Sequence, residues 1–169
     1  MLATDADWIV DEITAALGGP DTSFTVCREG RVVVDVVAER EPDLAILDMQ
    51  VGSKGGMAVT MALRLDESAG MLPHVPVIML LDRRADVFLA RRSGADGWLI
   101  KPLDPLRITR AVGAVMAGGT YVEGVSVPTS NVPVVEVGDV GDDGVAVPTP
   151  AEDELASPTI ETGEPAPAG

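Results

Sequence analysis

Cysteine is almost absent from this chain. Cys27 stands alone among 169 residues, so no internal disulfide can form, which is consistent with a reducing cytoplasm. Its plain reading is a small apolar residue in a strand. Aromatics are scarce as well, 3% of the chain against 46% apolar residues overall, a balance that fits an α/β domain built on Ala, Val and Leu. No apolar run approaches the ~18 residues that would mark a membrane span and no signal peptide opens the chain, so membrane insertion is not expected and a cytoplasmic protein is. Positive charge disappears beyond residue 117: residues 118–169 hold ten Asp and Glu and no Lys or Arg, leaving 17 acids and 12 bases for the first 117. Most of the formal net charge of −15 is therefore a property of the C-terminal segment. So acidic a chain repels phosphate backbones, which argues against direct nucleic-acid binding.

The same segment is poor in core residues. Seven of the thirteen prolines lie in 118–169, with Gly, Thr, Ser and acids between them. Too little contiguous apolar surface remains to offset chain entropy, so the expectation is a folded domain over 1–117 and a mostly disordered acidic tail over 118–169. Within the tail, "NVPVVEVGDV" reads as an extended linker, with transient pairing of its β-branched residues to a sheet edge or a partner strand as the alternative.

What is present is a regular alternation of strand and helix patterns. "MLAT" is a short apolar strand, and Asp7 is placed to cap a helix carrying Ile9, Ile13, Ala16 and Leu17. "SFTVC" reads as the second strand, and "REGRVVVDVVAERE" as a helix with Val33, Val36 and Val37 on one face. "LAILD", "PVIMLL" and "GWLI" are the next strands. "GMAVTMALRLDE" and "RADVFLARRSG" are the helices between them. A fifth helix, "DPLRITRAVGAVMAG", is capped by Asp104 with Pro105 at its first position. Five such units imply right-handed crossovers and a doubly wound α/β fold with a five-stranded parallel sheet. Many unrelated activities share that architecture.

Two strands end on charge. "PDLAILD" finishes on Asp48 and "GADGWLIKP" on Lys101 followed by Pro102, which would bring a carboxylate and an ammonium together at the carboxyl edge of the sheet, where open α/β folds keep their sites. These residues and their spacing resemble the receiver domain of two-component response regulators, and the resemblance covers residues 1–117. It implies a flavodoxin-like strand order 2-1-3-4-5. It also implies that Asp48 is the phosphoacceptor of a phosphorelay, that Lys101 contacts the phosphoryl oxygens, and that Pro102 follows a cis bond. Mg²⁺ would be held by Asp5, Asp48 and the carbonyl of Gln50, with Asp7 as a further candidate ligand. Leu81 and Trp98 fall at the two switch positions. The implied partner is a histidine kinase or another signalling protein.

Departures from the family pattern bear on function. Ala6 stands where the second acidic residue of the metal pocket is expected, so Mg²⁺ binding should be weak. Leu81 replaces a hydroxyl residue that would bond the phosphoryl group and couple it to the aromatic switch. Asp82 replaces a small residue and adds negative charge, and two like charges about 5 Å apart repel by roughly 3 kcal/mol at an effective dielectric near 20. Both a phosphorylatable protein with an impaired switch and a phosphorylation-independent pseudo-receiver scaffold fit these departures. A small nucleotide- or flavin-binding enzyme on the same fold is the alternative of another class; against it, "ATDAD" follows the first strand in place of a Gly-rich phosphate loop.

Partner contacts are expected through the fourth helix, fifth strand and fifth helix. That face carries Arg83, Arg84, Arg91, Arg92, Arg107 and Arg110. The acidic tail is opposite in charge and tethered nearby, so a loose, salt-sensitive contact with the face is expected, as is a candidate homodimer through it. No second helical pattern follows the receiver, so no output domain is expected in this chain.

Overall fold

The computed structural model describes residues 1–124. The remaining tail, including the stretch 131–140 and the disorder expected there, lies outside the described residues. The elements run β1 Leu2–Ala3, α1 Asp7–Leu17, β2 Val26–Cys27, α2 Val33–Arg40, β3 Ala45–Asp48, α3 Gly56–Ser68, β4 Val77–Leu81, α4 Val87–Ser93, β5 Gly97–Ile100 and α5 Pro105–Met116. The five strands form one parallel sheet in the order β2-β1-β3-β4-β5. The doubly wound parallel sheet is the one expected from the strand and helix pattern, and its strand order is the one that the family resemblance implies.

Residue alternation along the strands explains the layering, because successive side chains point to opposite faces. Ile46, Ile78, Leu80 and Leu99 pack with Ile9 and Ile13 of α1 and Ile108, Ala111 and Val115 of α5. Ala45, Leu47 and Val77 pack with Val33 and Val37 of α2 and Val59 and Leu63 of α3. Met79, Leu81 and Trp98 continue that second face under Ala90 of α4. Each fully buried aliphatic side chain of this kind contributes about 1.5–3 kcal/mol, so the sandwich fixes where the strand ends lie.

Several local expectations need correction. Asp7 does not cap α1: the cap position is Ala6, without a side-chain hydrogen bond, and the Asp7 carboxylate instead accepts from Arg28 Nη2 at 2.6 Å. The second strand is confined to Val26–Cys27. The helix read over 28–41 opens as a 3₁₀ turn at Gly30–Val32 before α2, and a similar turn at Arg84–Asp86 precedes α4. Gly94 ends α4 in the left-handed conformation, and Asp104 caps α5 by accepting from the Arg107 amide, as expected.

The chain does not leave the domain at residue 117. Beyond α5 it turns through Gly118, at φ +78°, and Tyr121 then bridges to Gly97 in parallel with β5. Residues 121–123, read from sequence as tail, are thus hydrogen-bonded along the outer edge of β5.

Candidate functional site

Parallel register places the carboxyl ends of β3, β4 and β5 side by side, with Asp48 opposite Leu80 and Leu81 opposite Ile100. Asp48, Asp82 and Lys101 therefore meet at one edge of the sheet, next to the loop that follows β1. Gly56 lets α3 begin close to this edge, since a Cβ there would come within 2.6 Å of the Asp48 carbonyl oxygen.

Asp48 is 2% exposed, and every contact of its carboxylate comes from a donor. Lys101 Nζ lies 2.8 Å from Oδ1 and the Gln50 amide 3.1 Å from it, while the Thr4 hydroxyl lies 3.0 Å from Oδ2. Three donors satisfy a charge that would otherwise be costly to bury. The Lys101 ammonium is shared, lying 3.0 Å from Asp82 Oδ1 as well. Asp82 thus does not stand as an unscreened negative charge beside Asp48; a single ammonium bridges the two carboxylates. The Trp8 ring centroid is 5.8 Å from Lys101 Nζ, within reach of a cation–π contact.

The acidic pocket expected for the metal is poor in carboxylates. Asp7 is drawn off by Arg28, Ala6 has no donor side chain, and Gln50 comes to Asp48 through its amide. Asp5 is exposed beside the Gly52 loop. Among the described residues no group of three or more His, Cys, Asp or Glu side chains could hold a metal ion. The carboxylates left from the predicted Mg²⁺ set are Asp5 and Asp48, with the Gln50 carbonyl as the remaining oxygen that the resemblance implies, a smaller set of hard oxygens than the family pattern calls for.

Both switch positions are buried. Leu81 packs with Met79, Ala90 and Trp98, and Trp98 is 3% exposed. The Trp98 indole N–H donates to the Glu123 carbonyl at 2.8 Å, so the aromatic is held by the segment after α5. The Lys101–Pro102 bond is cis, as the resemblance implies.

The arginine face divides. Arg84, Arg91, Arg92 and Arg110 are exposed. Arg83 is exposed too, but pairs with the buried Asp86 at 3.0 Å. Arg107 turns inward, donating to Glu123 Oε1 at 2.7 Å, the Ile100 carbonyl at 2.8 Å and the Pro102 carbonyl at 2.9 Å. It is a half-buried clamp committed to contacts within the domain rather than a free surface charge.

Comparison with known proteins decides the family. The sequence profile of the response regulator receiver domain matches residues 1–113. The chain belongs to that family. Among curated relatives, the DNA-binding response regulator MtrA of Mycolicibacterium paratuberculosis is 29% identical over 116 residues, covering 68% of this chain and 49% of that protein. Protein PilH of Pseudomonas aeruginosa is 24% identical, covering 70% of this chain and 97% of its own length. The chain thus spans about half the length of MtrA. The receiver domain of a signal transduction histidine kinase from Syntrophus aciditrophicus superimposes with a TM-score of 0.60 at 23% identity, over 75% of this chain and 96% of that one. The chemotaxis response regulator CheY4 of Vibrio cholerae does so at 0.59 and 20%, over 68% and 94%. These likenesses carry the fold. Receivers of this family belong to two-component signalling, where they interact with histidine kinases and generally bind Mg²⁺ at the phosphorylation site. No described helix of this receiver is long and apolar enough to cross a membrane.

Sequence reasoning missed three residues here. Thr4 was visible only as a hydroxyl at the end of a buried strand. Trp8 was visible as one of two tryptophans, one residue beyond the acidic cluster. Glu123 was hidden in a segment whose composition reads as tail; the signal for it is the alternation Tyr121, Val122, Glu123 behind a glycine pair.

Proposed function

We propose that this receiver signals through protein contacts that do not depend on phosphorylation of Asp48. The observation that carries the reading is the bridge Asp48–Lys101–Asp82, in which the ammonium that would neutralise an incoming phosphoryl group already serves two carboxylates. Thr4 occupies the second Asp48 oxygen. Ala6 and the diversion of Asp7 to Arg28 leave Asp5 as the one carboxylate that the first acidic loop offers Mg²⁺ beside Asp48. Leu81 has no hydroxyl to report a phosphoryl group, so a state change at Asp48 would lack the differential contact that shifts a two-state equilibrium. The contacts would run through the exposed arginines of the α4–β5–α5 face, to a histidine kinase, another signalling protein or a second copy.

Incubation with a small phosphodonor and Mg²⁺, read on a phosphate-tagged gel, tests the chemical half. The expected result is no shifted band, and a band lost in Asp48→Asn would overturn the reading. Pull-downs from native lysate test the other half: Asp48→Asn should keep the partner, and Arg91→Glu with Arg92→Glu should lose it. A second reading, Asp48 as a slow phosphoacceptor, is favoured by the 2.8 Å approach of Lys101 to Asp48. Under it, Asp82→Ala speeds labelling by releasing the ammonium.

A further inference from the structure

The segment Thr120–Gly124 touches the backbone that carries Lys101 from two directions. Glu123 accepts from the Ile100 amide through Oε2 at 2.9 Å. Its carboxylate is also held by Arg107, through Nε to Oε1 and Nη2 to Oε2. Arg107 in turn donates to the carbonyls of Ile100 and Pro102, the residues on either side of Lys101. Further contacts pin the segment to β5. The Trp98 amide donates to the Tyr121 carbonyl at 2.9 Å, and the Trp98 indole donates to the Glu123 carbonyl. The Glu123 side chain is 15% exposed, so this is a shielded pair in which a planar five-donor guanidinium has at least four acceptor contacts.

We infer that Glu123, acting through Arg107, is a positioning residue for Lys101, and that the strap after α5 is mechanically part of the Asp48 site. The geometry makes the chain of dependence short. Lys101 must project its ammonium between Asp48 and Asp82, and its own amide is fixed to the Leu81 carbonyl at 2.8 Å. What remains to fix the strand end is the pair of flanking peptides, and Arg107 brackets both. Arg107 can hold that fork only while its other edge is neutralised, and Glu123 supplies the neutralising charge. The two ends of the chain of contacts lie on different elements, so release of the strap loosens the ammonium at the site, whether or not Asp48 ever accepts a phosphoryl group.

The chain holds two lysines, Lys54 and Lys101, which allows an internal comparison. Trace amounts of acetic anhydride are applied to the full-length protein, and acetylation of Lys101 relative to Lys54 is read by peptide mass spectrometry. In the parent protein Lys101 reacts more slowly, since its ammonium is engaged by two carboxylates. Glu123→Ala and Arg107→Ala should each raise the ratio by about tenfold, the factor that corresponds to losing one hydrogen bond to a charged group at the lower end of its strength. The double variant should go no further than either single one. Arg107→Lys should behave like Arg107→Ala, because a single ammonium cannot bracket both carbonyls. Arg110→Ala, on the exposed side of the same helix, should leave the ratio unchanged. Alkylation of the buried Cys27, run on the same samples, selects variants that remain folded. Glu123→Gln keeps the volume and an accepting oxygen, and gives a smaller rise in the same direction even where the alanine variant does not fold. An unchanged ratio in folded Glu123→Gln or Arg107→Lys, or an equal rise in Arg110→Ala, would overturn the inference.

Discussion

The Thr4 hydroxyl donates to Asp48 Oδ2 at 3.0 Å and accepts from the Ala6 amide at 3.2 Å, and both Thr4 and Asp48 are closed to solvent. One hydroxyl thereby ties the end of β1 to the end of β3 and faces the carboxylate oxygen that Lys101 does not contact. Thr4→Val preserves the shape and removes the donor. It should cost about 1–3 kcal/mol, the penalty for a buried acceptor left without its partner, visible as a lower urea midpoint with an unchanged slope. No loss of stability would mean that Oδ2 finds another donor.

The two halves of the Lys101 bridge should differ sharply in strength. The Asp48 side chain is 3% exposed and the Asp82 side chain 37%. Breaking a buried pair leaves an uncompensated charge and costs about 3–5 kcal/mol, whereas an exposed pair contributes about 0–1 kcal/mol. Lys101→Met should therefore destabilise the domain severely at neutral pH, and Asp82→Asn hardly at all. Equal effects in chemical denaturation would mean that Lys101 is anchored by something other than Asp48.

The parallel α/β sheet and the Asp48–Lys101 pair were legible because both are written in local patterns, whereas the strand order came only with the family resemblance. Apolar runs of strand length ended on single charges, and parallel register carried those charges to one edge. The metal ligands were less legible, since sequence position says which element an acid sits on but not which way it turns: Asp7 stands one residue after Ala6, where the second acid is expected, and is captured by Arg28. The Arg107–Glu123 clamp was illegible for a different reason. A charge count assigns Arg107 to a surface and Glu123 to a tail, and only the turn at Gly118 returns one to the other. Composition averages over a segment, and three residues that pack do not move the average.

Mg²⁺ affinity should respond to the first acidic loop. Trp8 is the natural reporter, because its ring stands 5.8 Å from Lys101 Nζ, whereas Trp98 is occupied under the strap. Millimolar Mg²⁺ should leave Trp8 fluorescence nearly unchanged in the parent protein, and Ala6→Asp should produce a saturable change by adding a hard oxygen beside Asp5. A saturable response in the parent protein at sub-millimolar Mg²⁺ would contradict the weak binding expected from its donor set.

Restoring the hydroxyl at the switch position should not restore a switch. Leu81 is fully buried among Met79, Ala90 and Trp98, so Leu81→Thr removes packed methyl groups and leaves a hydroxyl in apolar surroundings. The expected loss is about 2–4 kcal/mol from the combined cavity and desolvation costs. Amide shifts over α4 should not gain sensitivity to a beryllofluoride mimic. A stable, newly responsive Leu81→Thr protein would show that the coupling needs only that one group.

The strap should be released by acid. Burial alone would push the Glu123 carboxyl up, but the Arg107 hydrogen bond, the Ile100 amide, the Arg107 charge and the Tyr121 hydroxyl together outweigh it and hold the carboxyl below its ordinary value of 4.5. A folded-state value lower than the unfolded one means that the unfolded chain binds the proton more readily. The stabilising contribution is therefore complete above the ordinary carboxylate value and is lost as pH falls through the lowered folded value. Trp98, bonded to the Glu123 carbonyl, reports the event. Its fluorescence should be flat from neutral pH down to the ordinary carboxylate range and change below it. Glu123→Gln should remove that acid transition while leaving the transitions of other carboxylates in place. A Trp98 transition that persists unaltered in Glu123→Gln would assign it to a different carboxylate and detach the strap from the pH response.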